Sequence, residues 1–153
     1  MDWSRLQLLT EDMNWGDSKE MNPQLLVEFD RFLAGLKRRF FVTSGTQGQH
    51  AEHSLHYSGR AVDFVFMDSY PGHILDAFLL AVRFGFTEIG LYPAWRFNGQ
   101  TVGGMHLGIH EATHAEALRK KLWLGVPDDK GKQVYIGISA KNLVKYDILK
   151  GVK

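Results

Sequence analysis

Apolar positions recur along the chain with two periods, and these divide it into elements. The lead, through Asn14-Trp15-Gly16, shows neither period and predicts irregular or short helical structure. Asn22-Pro23 reads as a helix start, with Asn as N-cap and Pro at the first helical position. In the following PQLLVEFDRFLAGLKRR, residues Leu25, Leu26, Phe29, Phe32, Leu33 and Leu36 fall at helical spacing. Glu28, Asp30 and the Lys37-Arg38-Arg39 run then form the solvated side of that helix. Phe40 to Thr43 predicts a strand, stopped by Ser44-Gly45. A polar, histidine-rich loop extends to Ser58, and Arg60 to Phe66 predicts a second strand. Pro71-Gly72 opens a helix, HILDAFLLAVRFG, that Gly85 ends. Glu88 to Tyr92 predicts a strand ended at Pro93, and the segment from Trp95 to Gly99 a loop. Another strand is expected from about Gly104 to Ile109, then a helix over 111–122. The tail carries a β-like QVYIGIS and a short helical KNLVKYDILK. Helices and strands mix without regular βαβ alternation. The expected class is therefore α+β, with a small, largely antiparallel sheet flanked by helices.

Composition narrows this picture. At 153 residues the chain suits a single domain, 1–153. Net charge is +1 with the charges scattered, so no basic face for nucleic acid is expected. No apolar run reaches the roughly 18–20 residues of a membrane span, and the start, MDWSRLQLL, does not resemble a signal peptide. A monomer made in the cytoplasm is expected, one that another agent must release if its substrate lies outside the membrane. The absence of cysteine removes disulfides and thiolate metal sites. Any metal must be held by His, Asp or Glu.

Two patterns offer such ligands. His110-Glu111-Ala112-Thr113-His114 matches H-E-x-x-H, the helical signature of zincin proteases. Upstream, SLHYSGRAVDFVF contains Ser54-x-His56-x-x-Gly59-x-Ala61-x-Asp63. His56 offers an imidazole and Asp63 an anionic oxygen, both suited to zinc. Gly59 allows a sharp turn between them, and Ala61 leaves room on the same strand face. His106, in the apolar strand MHLGI, is the best candidate third ligand, leaving one position open as in catalytic zinc sites. The second pattern is about a hundredfold rarer by chance than the first. The HEATH segment also looks solvated, with Glu111, Glu116, Arg119, Lys120 and Lys121 around it.

The SxHxxGxAxD segment resembles the zinc D-alanyl-D-alanine carboxypeptidase family in the broad sense, which includes L-alanyl-D-glutamate endolysins and shares its fold with the hedgehog signalling domain. FVTSGT, GFTEIGLYP and GGMHLGI look like the family's neighbouring strands, in the right order from about Phe40 to Ile109. The resemblance implies Zn2+ on His56, Asp63 and His106 and hydrolysis of bacterial cell-wall (peptidoglycan) peptides. It also implies a lysis enzyme of phage or prophage type. The chain departs from the family at Gln47, where Arg often binds a substrate carboxylate, and at Gly103, where a carboxylate often serves as general base. Glu88 and His50 are the candidate bases. Gln47, Ser54, Tyr92 and Trp95 are candidate substrate contacts, Ser54 as a hydrogen-bonding residue and not a nucleophile. Two alternatives stand beside this expectation: a zinc-containing binding or structural domain, and a zincin-like protease using HEATH.

Overall fold

The computed structural model describes residues 1–68, 74–111 and 120–148. Six strands form one open sheet in the order β1-β2-β4-β3-β5-β6. They are β1 (Phe40–Ser44), β2 (Ala61–Phe66), β3 (Glu88–Phe97), β4 (Gln100–Gly108), β5 (Lys121–Pro127) and β6 (Gln133–Gly137). All neighbours are antiparallel except β3 and β5. The described helices are α1 (Pro23–Leu36), α2 (Ile74–Arg83) and α3 (Ala140–Lys145). The α+β class and the mostly antiparallel sheet expected from the sequence are those observed.

Strand alternation assigns the two faces different tasks. Phe64, Phe66, Ile89, Leu91, Met105, Leu107, Leu124 and Val126 are fully buried. The buried stripe of α1 packs on this face, with the Phe29 and Phe32 rings 5.0 and 6.0 Å from Phe64. On α2, Ile74 closes over Gly103 and Phe66. Removing a ring such as Phe29 from this interface would cost about 3–5 kcal/mol. Asn22 caps α1 by accepting from Gln24 N and Leu25 N, as expected. The helix ends earlier than predicted, because Lys37 turns left-handed at φ 56°.

Four other expectations change. Asp30 is buried, not solvated: its carboxylate accepts from the backbone of Gln7, Leu8 and Leu9 at 2.8–3.1 Å and ties the lead to α1. Arg38 covers the Phe66 ring at 4.0 Å and pairs with Asp68. Strand β3 does not stop at Pro93. It continues through a register shift between Tyr92 and Trp95, which accommodates the missing proline N–H, to a two-residue turn at Asn98 (φ 48°) and Gly99 (φ 76°). Lys121 and Leu122 belong to β5, not to a helix, because pairing with Glu88 and Ile89 claims their backbone. Most of the predicted helix, 112–119, lies outside the described residues, as do Pro71-Gly72 and the end of the tail.

Candidate metal centre

The other face of the sheet is a cleft, and backbone register brings the candidate ligands onto it. Asp63 of β2 stands opposite His106 of β4, which stands opposite Gly90 of β3. His56 arrives from a 3-10 turn, Leu55–Ser58, where the Ser54 hydroxyl accepts from His56 N and Gly59 (φ 64°) ends the turn. A β-carbon at Gly59 would overlap the Glu20 carbonyl oxygen, so the motif glycine is needed for both its angle and its lack of bulk.

Three side chains converge. His56 Nε2 lies 3.2 Å from Asp63 Oδ2, His106 Nδ1 lies 2.9 Å from Asp63 Oδ1, and the two nitrogens are 3.2 Å apart. Ligands about 2.0–2.1 Å from a tetrahedral zinc sit roughly 3.3 Å from one another, so this spacing suits one ion. The other ring nitrogens agree. His56 Nδ1 donates to Gly45 O at 2.6 Å, which leaves Nε2 as the lone-pair atom. His106 Nε2 faces Glu88 Oε2 at 3.5 Å, which leaves Nδ1 for the ion.

His50 forms a second, overlapping group. Ligand atoms of His50, His56 and Asp63 all lie within 4.8 Å of one another, and the group can hold a metal ion. Ring orientation separates the two sets. His50 is stacked on His56, with centroids 3.8 Å apart and planes 8° from parallel, so their lone pairs lie in separate, near-parallel planes. The His56 and His106 rings meet at 68°, which lets their lone pairs converge. Both sets contain His56 and Asp63.

The electrostatics follow from this crowding. Burial pushes the Asp63 carboxyl up, but hydrogen bonds from His106 and His56 outweigh it and hold the group well below the usual range. Burial alone would lower His106; the neighbouring carboxylates of Asp63 and Glu88 instead raise it to about 9. Glu88, also opposed by burial, is brought down to about 2 by His106 and Lys121. Burial, assisted by the charge of Asp63, pushes the Tyr92 phenol above its ordinary value.

The cleft measures about 680 Å³ and is walled by Tyr92, Trp123 and Tyr135 on one side and by the loop from Gln49 to Ser54 on the other. Its aromatic wall depends on bare backbone opposite. A β-carbon at Gly90 would come 2.5 Å from the Trp123 ring, and one at Gly104 would come 2.5 Å from Trp95. Tyr92 lies over Gly125 in the same manner, and its hydroxyl accepts from Trp123 Nε1 at 3.3 Å. Sequence reasoning missed Trp123 and Lys121 because it placed no strand at β5, and missed Tyr135, on the expected β-like segment, because only the pairing of β6 with β5 carries that segment to the cleft.

Ser54, Tyr92, His50 and Glu88 line the cleft with the three ligand candidates. Trp95 borders the adjoining groove beyond Tyr92. Gln47 is not brought to the cleft. Its side chain accepts from Gly45 N and donates to Asn14, beside a different groove next to β1. Gly103 faces the core, where a β-carbon would lie 2.9 Å from Ile74. Within HEATH, His110 bonds Glu88 at 3.0 Å and Glu111 pairs with Arg60, neither residue in a helix. His114 lies outside the described residues.

A scan against protein-family models and a search of curated proteins give no match to this chain.

Proposed function

We propose that this protein is a zinc-dependent peptidase of hedgehog/DD-peptidase architecture that hydrolyses peptide bonds in bacterial cell-wall peptides. The observation that carries the proposal is the convergence of His56 Nε2 and Asp63, from the motif, with His106 Nδ1, at 2.9–3.2 Å on the floor of a cleft. Zinc bound there supplies Lewis acidity, which acidifies a water toward a pKa of about 7 and polarises a carbonyl. The chain's own residues supply the rest. The Gly45 carbonyl fixes the tautomer of His56. Trp123, Tyr92 and Tyr135 make the apolar wall against which a peptide lies. Proton transfer falls to His50: its Nε2 donates to Gln47 O at 2.8 Å, which leaves Nδ1 as the acceptor of a ring stacked on His56. Tyr57 clamps that residue in place, its hydroxyl bonding both His50 N and His50 O.

Purified zinc-loaded protein incubated with peptidoglycan should release new amino termini. The combined variant His56→Ala, Asp63→Ala, His106→Ala should lose both zinc and this activity. Full metal content in that variant would sink the assignment. The source in keeping with this activity is a phage or prophage lysis enzyme, acting as a monomer after release from the cytoplasm.

One observation favours a second reading, a zinc-containing binding domain without catalysis. Gly103 is packed against Ile74 and Phe66, so strand β4 supplies no carboxylate to the cleft from that position. Binding to peptidoglycan without new termini would select this reading. The zincin alternative is weakened by the engagement of Glu111 with Arg60. Loss of activity in Glu111→Gln would revive it.

A further inference from the structure

His106 is buried, and its Nε2 has no hydrogen-bond partner among the described residues. Glu88 Oε2 lies 3.5 Å from it. Glu88 begins β3, where register sets it opposite Gly108 on one side and Lys121 on the other. Its second oxygen is occupied twice over. Oε1 lies 3.0 Å from His110 Nε2 and 3.0 Å from Lys121 Nζ. His110 is itself fixed through its backbone N–H, which donates to Thr87 Oγ1 at 2.9 Å. Two donors on Oε1 hold the carboxylate plane and leave Oε2 turned toward His106. Glu88 therefore stands behind the ligand histidine, on the side away from Asp63.

We propose that Glu88, gripped by His110 and Lys121, is a positioning residue that orients His106 and sets how tightly the metal is held. This inference rests on the ligand set proposed above. A carboxylate behind a ligating histidine fixes the ring and its tautomer and makes the ligating nitrogen a better donor. A divalent ion on Nδ1 withdraws charge from the ring, acidifies the N–H at Nε2 and strengthens its bond to Oε2. The arrangement gives the first histidine of HEATH a role: it acts on the metal through Glu88, from outside the ligand shell.

The test is zinc affinity of the full chain, measured by competition with a chromophoric chelator, with the absorption spectrum of the cobalt-loaded protein as a second readout. Glu88→Gln should weaken binding about 10–100-fold and alter the cobalt spectrum. His110→Ala should weaken it severalfold, and His110→Gln, which keeps a donor, should restore most of the loss. Because His110 acts through Glu88, adding His110→Ala to Glu88→Gln should cost nothing more. Binding by Glu88→Gln within about twofold of the native chain, or additive losses in the double variant, would overturn the inference. If Glu88→Gln fails to fold, Lys121→Met decides: weaker binding supports the proposal and unchanged binding overturns it. A native chain that takes up no zinc overturns the ligand set itself, and this inference with it.

Discussion

His106 sits between two carboxylates, Asp63 at Nδ1 and Glu88 facing Nε2. These raise its pKa to about 9 from an ordinary 6.5, against the opposing effect of burial. Stability from the charged ring is fully present below the unfolded value and is lost as pH rises through 9, a change on the order of 3 kcal/mol. Asp63 has the opposite sign: held low, it contributes above its ordinary value of 3.8 and loses that contribution as pH falls. Urea midpoints of chelator-treated protein should therefore decline on the alkaline side, and His106→Gln should flatten that decline. Binding of the proposed ion should show the reverse trend. An ion must displace the His106 proton, so affinity should rise with pH until about pH 9. A pH-independent affinity would contradict the pairing. At this scale the motif residues were legible because their chemistry is local. The partners of Gln47 and Asp30 were not, since backbone atoms brought by folding decide them.

The elements of the cleft face are matched by shape as well as by hydrogen bonds. Trp123 on β5 occupies the space above Gly90 on β3, and Tyr92 on β3 occupies that above Gly125 on β5. Gly90→Ala should overpack this surface and cost about 1–3 kcal/mol, seen as a lower denaturant midpoint. A displaced Trp123 should also change the tryptophan emission. An unchanged midpoint would show that the wall gives way freely. Helix α1 and strands β1 and β2 were legible, because buried apolar residues at period 3.6 or 2 mark them directly. Strand β5 was not, because ALRKKL continues a helical pattern into it. Its pairing with β3 is a contact between residues more than thirty positions apart in sequence, such as Glu88 and Lys121.

Across the whole molecule, the proposed ligands join β2, β4 and the turn carrying His56, with Glu88 of β3 behind His106, so metal binding should stabilise the whole fold. With free zinc at a hundredfold excess over its dissociation constant, linkage contributes about 2.7 kcal/mol. For a chain of 153 residues this corresponds to a rise in Tm of several degrees, roughly 2–4 °C per kcal/mol. Scanning calorimetry with zinc and then with chelator should show it. The variant lacking His56, Asp63 and His106 should melt at one temperature under both conditions. A native chain equally indifferent to zinc would contradict a metal centre built into the sheet.

The sequence by itself determined the α+β class, the two faces of β2 and β4, and the spacing that sets His56 and Asp63 about one turn and one strand apart. These depend on residue type and on periods shorter than four positions, which a linear chain displays. Tertiary structure decided what stands behind and around those residues. It turned Gly103 into the core, tied Gln47 to Asn14, and stacked His50 on His56. HEATH shows the division most plainly. Its letters promise a helix carrying two ligands, yet the described His110 grips Glu88 and Glu111 pairs with Arg60. A motif states which atoms are available; the register of β3, β4 and β5 fixes where they point, because side chains on a strand face opposite ways at each successive residue.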